Sequence, residues 1–336
     1  MSPRVSVIMA ARNAADTIEA SLHSLQRQTL SDWECIVVDD GSDGDTAGRV
    51  EAIQRDEACV RLLRIPPSGV VVARNRAAAE AQGTAIAVLD ADDLAHRQRL
   101  ALQWQQFEAQ GGGVVTCFAR YFRREAVGPG LDRYQQWLRR QRDGAALRRA
   151  RFIEMPYAHS TLMLERTVGD RLGWYEDHDW PEDFDLSLRL AASDVPHGVV
   201  PRALLGWRVR AHSASRTDPR YALQAFMRCR AAALARDYLT PEQEWLLWGH
   251  GETGKALRRE LAEHGRRPKA ILEVDPRKIG HRIDGVPVID ALAWLAQQDA
   301  APRLIISVAG STARAKIREA LASTGRVEGE GYFFAA

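Results

Sequence analysis

The sequence of 336 residues is short of lysine: only Lys255, Lys269, Lys278 and Lys316 stand among 46 basic residues, and none precedes residue 250. Against 44 acidic residues the net charge is only +2. That balance lacks the basic excess needed to neutralise a phosphate backbone, so nucleic acid is excluded as the main partner. Cysteine is also scarce. Cys35, Cys59, Cys117 and Cys229 lie far apart, without a CxxC pair or zinc-ligand spacing, which predicts a reduced chain with no disulfide framework. No run approaches the ~18 uncharged apolar residues of a membrane-spanning helix; the best, such as Thr84–Leu89, have strand length. Met-Ser-Pro-Arg leads straight into an apolar strand pattern. That leaves no room for a signal peptide and predicts a cytoplasmic protein, at most peripheral to the inner face of a membrane. Repeats and low-complexity tracts are missing, and 46% hydrophobic with 27% charged residues excludes wholesale disorder.

What is present is alternation. Val5–Ala11, Glu34–Asp40, Arg61–Ile65 and Thr84–Asp90 read as strands, and helical patterns fall between them near Thr46–Arg55 and Asn75–Gln82. An early helix carries Ile18, Leu22 and Leu25 on one face, with Asp16 as its expected cap. Strands alternating with helices predict βαβ units and a parallel sheet whose ligands sit at the carboxyl ends of its strands. Beyond Phe122 the pattern loosens into a helix-like, arginine-rich Leu131–Arg151, a strand at Ser160–Glu165 and a helix at Glu182–Ala192. An extended Val199–Arg210 and a helix over Tyr221–Tyr238, with Leu223, Phe226 and Leu234 inward, complete it. A polar connector at Leu239–Glu244 places a domain boundary between residues 238 and 239.

Two acidic clusters follow strands. Asp39-Asp40-Gly41-Ser42 could accept hydrogen bonds from a nucleobase or ribose; the same residues also make ordinary turns. Asp90-Ala91-Asp92-Asp93 puts three carboxylates in four positions, which repel unless a cation compensates. A hard divalent ion, magnesium or manganese, suits them and leaves room for phosphate oxygens. One Asp could cap a helix over Leu94–Gln110, but capping accounts for one residue of the three.

In this order and spacing the chain resembles the family 2 glycosyltransferases from Val5 to about Tyr238. The matching pieces are Val5-Ser6-Val7-Ile8 through Arg12-Asn13, Asp39-Asp40-Gly41-Ser42, Gly69 through Ala73-Arg74-Asn75, Asp90-Ala91-Asp92-Asp93, and Pro181-Glu182-Asp183. The resemblance implies an inverting enzyme of the GT-A fold, an α/β architecture with a mixed, mainly parallel sheet flanked by helices. It implies a nucleotide-sugar donor, uridine-diphosphate-linked, and a glycan, lipid-linked or other hydroxyl acceptor. Ala11, Arg12, Asn13, Asp39 and Asp40 would lie near the nucleoside, with Arg74, Asp90 and Ala91 also on the donor. Asp92, with Asp90, would bind manganese or magnesium. Asp183, beside Glu182, would be the base that removes the acceptor proton; a proline followed by acids is also how helices commonly start. Ala10 departs from the proline the family often has there. His159 matches a histidine that relatives place beside the acceptor. Where the family has Trp-Arg-x-His, Trp207-Arg208-Val209-Arg210 puts Arg210 at the histidine position and His212 two residues later. Arg210 or Arg216 could then clamp the diphosphate and His212 could be a third metal ligand, or the segment is a surface strand edge. The arginine run could meet an acidic acceptor or a membrane surface, or be a solvated helix face.

Residues 239–336 start afresh. Trp245-Leu246-Leu247-Trp248 runs into Gly249-His250-Gly251-Glu252-Thr253-Gly254 and a helix, the strand–GxGxxG–helix context of a dinucleotide fold. Asp275, after a strand at Ile271–Val274, stands where a ribose-binding acid is expected. This part looks like the Rossmann-like domains attached to sugar O-acyltransferases, which implies nucleotide binding. A structural role, including assembly of a homo-oligomer, fits equally. Against the transferase stand a non-catalytic nucleotide-sugar sensor and an NAD-linked oxidoreductase built on Gly249–Gly254. A nucleotidyltransferase would want a glycine-rich loop after the first strand, which Ala10-Ala11-Arg12-Asn13 does not supply.

Overall fold

The computed structural model describes residues 2–122, 129–209, 217–297 and 302–336. It divides into two compact units. The first comprises Met1–Leu147, Pro156–His178 and Ser193–Arg216; the second comprises Arg148–Met155, Asp179–Ala192 and Thr217–Ala336.

The first unit is built on an eight-stranded sheet in the order β3-β2-β1-β4-β7-β6-β8-β5. Its strands are β1 (Val5–Ala11), β2 (Trp33–Asp40), β3 (Val60–Ile65), β4 (Ala85–Val88), β5 (Leu94–Ala95), β6 (Val114–Phe122), β7 (Met163–Glu165) and β8 (His197–Arg208). The first four are mutually parallel, and β7 breaks the pattern by pairing antiparallel with β4 and β6. Every residue of β2 is buried, as expected for a strand covered on both faces. Of the helices α1 (Ile18–Gln26), α2 (Thr46–Asp56), α3 (Val70–Glu80) and α4 (Arg99–Ala109), α2 and α3 pack against β2, and α4 packs on β6 and β8. Val7, Met9, Ile18, Leu22, Val37, Ala87, Leu100 and Phe107 belong to the resulting core.

Local expectations fail where tertiary packing intervenes. The cap of α1 is Thr17, with no side-chain capping bond, and not Asp16. The helix expected from Leu94 begins only at Arg99, because Leu94–Ala95 is drawn into the sheet against Leu205–Gly206. The arginine-rich segment is two helices, α5 (Pro129–Leu138) and α6 (Gly144–Ala150). A 3-10 turn over His159–Thr161 replaces the start of the Ser160–Glu165 strand.

The second unit holds α8 (Glu182–Ala192), which follows α7 (Arg166–Leu172) of the first unit, and α9 (Leu223–Asp237). Leu234 on α9 is buried, whereas Leu223, expected inward, is 80% exposed at its first turn. A six-stranded sheet follows in the order β11-β12-β10-β9-β13-β14. The strands are β9 (Trp245–Trp248), β10 (Ala270–Glu273), β11 (Arg282–Ile283), β12 (Val286–Asp290), β13 (Arg303–Ile306) and β14 (Tyr332–Phe334). All of its pairings are parallel except β11 with β12. Around it stand α10 (Glu252–Glu263), α11 (Ala291–Ala296) and α12 (Ser311–Ala322), with Leu246, Leu272, Trp294, Ile306, Leu321 and Phe334 in the core.

Candidate active site

Topology gathers the predicted donor residues of the first unit. After β3 the chain crosses to the far side of β1 and enters the sheet as β4, so the β1/β4 seam is the switch point at which open α/β sheets bind ligands. The register pairs Ala11 with Asp39 and Ile8 with Val88. Ala11-Arg12-Asn13, Asp39-Asp40 and Asp90–Asp93 therefore line one edge.

On the β1/β2 side both strand-end carboxylates are buried. Asp39 accepts the Ser42 hydroxyl and, at 3.3 Å, the Ser42 amide, which is turn chemistry. The Ser42 oxygen in turn accepts the Asn13 amide at 2.8 Å. Asn13 has φ of +51°, a backbone that asparagine tolerates better than most residues, and its side chain accepts the Asp43 amide at 2.9 Å. Asp40 accepts the amides of Ser68, at 2.6 Å, and Gly69, at 3.0 Å. It thereby fixes the loop that starts α3, while half-exposed Arg12 stands 4.0 Å away.

At the β4 end, Arg74 from α3 donates to Asp90 Oδ1 at 3.0 Å, and the Ser160 hydroxyl donates to Asp90 Oδ2 at 2.6 Å. Desolvation pushes the Asp90 carboxyl up, but the Arg74 charge and the Ser160 hydroxyl hold it below its usual range. Asp93 goes the other way. It is fully buried, and desolvation followed by the charges of Asp90 and Asp92 raises its carboxyl well above the ordinary value. Asp93 accepts the Arg208 amide at 2.8 Å, and Arg208 Nε donates to the Asp92 carbonyl at 2.7 Å, so the end of β8 grips the acidic loop. Behind the loop, buried Arg99 donates to the Val88 carbonyl at 2.7 Å. With α4 starting six residues later, Asp93 is not a helix cap.

Among the described residues no three His, Cys, Asp or Glu side chains form a ready metal-ligand group. The donor set still suits a hard divalent ion. Asp92 is only half-buried, beside Asp90, and magnesium or manganese takes one or two carboxylates and completes its shell from phosphates and water. His159 is buried, with Nε2 2.8 Å from the Tyr175 hydroxyl. Burial, then the Arg74 charge, drive its pKa down, so the ring is neutral. Arg210, His212 and Arg216 lie outside the described residues.

The second unit carries Glu182 and Asp183 in the first turn of α8. Glu182 is buried, and its carboxylate accepts the Tyr221 hydroxyl at 3.0 and 3.1 Å. Asp183 is half-buried and accepts the Phe184 amide at 2.7 Å. In the six-stranded sheet the glycine loop follows β9, which lies between β10 and β13. A Cβ on Gly254 would stand 2.5 Å from the Gly249 carbonyl, so the close helix–strand approach needs glycine. Gly251 has open space around its Cα. Asp275 bonds Arg277 at 2.9 Å. The acid that reaches the loop is Glu273, which accepts the His250 amide at 3.2 Å and the Lys278 ammonium at 2.8 Å. Sequence reasoning missed Glu273, which is two residues from the expected position and inside the apolar strand. It also passed over Tyr175, Ser160, Arg99 and Arg208, whose roles arise from contacts across 11 to 116 residues and leave no local signature.

A curled, mainly parallel sheet with acidic loops at the switch point is the arrangement expected of the GT-A fold. Residues 6–172, just under half of the chain, match the model of Glycosyl transferase family 2, and this likeness marks the chain as a glycosyltransferase enzyme. An uncharacterized glycosyltransferase of Methanocaldococcus jannaschii is 26% identical over 210 residues, covering 62% of this chain and 71% of that one. The UDP-Glc:alpha-D-GlcNAc-diphosphoundecaprenol beta-1,3-glucosyltransferase WfgD of Escherichia coli is 38% identical over 100 residues, 30% of this chain and 39% of WfgD; the match thus spans well under half of that relative. Among solved structures, S. aureus TarS 1-349 in complex with UDP-GlcNAc superposes with a TM-score of 0.55 at 16% identity, covering 79% of this chain and 72% of that one. It supports the fold.

Proposed function

We propose that the protein transfers a sugar, with inversion at the anomeric carbon, from a uridine-diphosphate-linked donor to a hydroxyl acceptor, assisted by manganese or magnesium. The carrying observation is the β4-end cluster: the Arg74–Asp90–Ser160 contacts beside half-buried Asp92, at the switch point. UDP-GlcNAc in the TarS complex and the UDP-Glc in the name of WfgD favour the uridine donor.

In this reading Asp39 and Asp40, with Arg12 and Asn13, cradle the nucleoside, and Arg74 orients Asp90 toward the ribose. Asp92, with Asp90, would hold the cation, which when bound supplies Lewis-acid stabilisation of the departing diphosphate. Asp183 takes the acceptor hydroxyl proton as its oxygen attacks. The Asp183 carboxylate is half-buried at the start of α8, where Glu182 is buried and accepts the Tyr221 hydroxyl. Residues 1–238 then form the transferase domain and residues 239–336 a Rossmann-like domain akin to those of sugar O-acyltransferases, with Glu273 beside the glycine loop. The exposed Arg133, Arg139, Arg140 and Arg142 offer a basic face to a lipid-linked acceptor or the inner membrane surface. Among the described residues no helix is long and apolar enough to cross a membrane.

Asp183→Asn tests the base. Transfer should fall by roughly 10²-fold or more while UDP affinity stays within about twofold; full retained turnover would refute the assignment. Donor consumption absent from an intact, UDP-binding wild type would favour the non-catalytic sensor.

A further inference from the structure

The Asp90 carboxylate is held at both oxygens, and both holds trace back to a single side chain. On one arm, Tyr175 stacks under Arg74, whose guanidinium carbon is 5.4 Å from the ring centroid; a cation over an aromatic face is attracted by the ring quadrupole. Arg74 then donates to Oδ1 of Asp90 at 3.0 Å. On the other arm, the Tyr175 hydroxyl meets His159 Nε2 at 2.8 Å. His159 begins the short turn whose next residue, Ser160, donates to Oδ2 of Asp90 at 2.6 Å.

The chain goes to some length to deliver Tyr175. It leaves α7 through Gly173 at φ +84° and Trp174 at φ +53°. The left-handed region costs a bulky L-residue about 1–2 kcal/mol, and such strain persists only where its surroundings impose it. Here the indole N–H donates to Asp170 at 2.8 Å, and the ring fills the space over Gly169, where a Cβ would come within 2.3 Å of it. The next residue is then clamped by Asn75. The Tyr175 amide donates to Asn75 Oδ1 at 3.1 Å, and Asn75 Nδ2 donates to the Tyr175 carbonyl at 2.8 Å. Arg74 and Asn75, adjacent on α3, thus hold the ring and the backbone of one residue.

We infer that Tyr175 is a positioning residue of the donor site, setting the orientation of the Arg74–Asp90 pair through its ring and, through His159, the turn that carries Ser160. This rests on the donor-site reading above. It accounts for a buried tyrosine and histidine that the transfer chemistry itself does not use.

The test compares Tyr175→Phe, which keeps the ring and loses the His159 contact, with Tyr175→Leu, which loses both, and with Ser160→Ala. UDP-sugar turnover is followed at saturating and varied donor and acceptor. Orientation errors near a reacting centre cost up to about 10²-fold. Donor kcat/KM should therefore fall by roughly tenfold in Tyr175→Phe and Ser160→Ala and by about 10²-fold in Tyr175→Leu, with acceptor KM unchanged. A purely structural tyrosine would instead lower the melting temperature and scale donor and acceptor parameters together. Should Tyr175→Leu fail to fold, the other two variants decide. An active wild type with equally active Tyr175→Phe and Ser160→Ala overturns the inference alone. A wild type that neither binds nor consumes a nucleotide sugar overturns the donor-site reading and the inference with it.

Discussion

Buried beside Arg74 and Asp90, the His159 ring is neutral because burial and the guanidinium both disfavour its imidazolium. Its folded pKa is below the unfolded value of 6.5, so below pH 6.5 the unfolded chain binds the extra proton. The contribution of this ring is therefore fully present above that pH and is lost as the medium is acidified through the window, by at most about 1.4 kcal/mol per pH unit for one proton. Urea denaturation between pH 7.5 and 5 should show this slope in the wild type and lose most of it in His159→Gln; equal slopes would place the linkage elsewhere. The residue scale also marks what sequence can tell. Asp39, Asp40, Asp90 and Asp92 are legible because carboxylates following an apolar strand are conspicuous. Tyr175 and Ser160 are not, since their meaning lies in partners 16 and 70 residues away. Glu273 hides because a residue inside a strand is read as packing.

Among the elements, β1, β2 and β4 follow from their branched apolar runs, and their common direction is what aligns the acidic loops. Their junction is tight. Gly83, just before β4, donates to the Ser6 hydroxyl at 2.8 Å, and a Cβ there would stand 2.6 Å from the Ser6 amide nitrogen. Gly83→Ala should push β4 from β1 and cost about 1–3 kcal/mol, read as a lower denaturation midpoint; an unchanged midpoint would mean that the seam yields freely. Helix starts were harder to read. Leu94–Ala95 and the Leu131–Arg151 stretch have helix-compatible composition, but sheet pairing with β8 claims the first and a break between Leu138 and Gly144 divides the second. Tertiary pairing overrides local preference in each.

For the whole molecule, the sequence shows two α/β layers with a polar connector between them, and both sheets are found. It does not show that α8 and residues 148–155 group with the C-terminal segment in one compact unit. That grouping is built by contacts remote in sequence: Phe152 against Phe333 at 5.1 Å, Tyr238 against Phe333 at 4.4 Å, and Arg230 donating to the Ile153 carbonyl at 3.0 Å. The central claim concerns the other unit, where the β1/β4 seam is to hold a sugar-nucleotide diphosphate through a cation on Asp92. Calorimetric titration of UDP into the full-length wild type and Asp92→Asn, each with manganese and with chelator, tests it most directly. The account predicts at least roughly tenfold tighter binding with manganese in the wild type, about 1.4 kcal/mol, and loss of that gain in Asp92→Asn. UDP affinity indifferent to manganese, or a manganese gain that survives in Asp92→Asn, would contradict it.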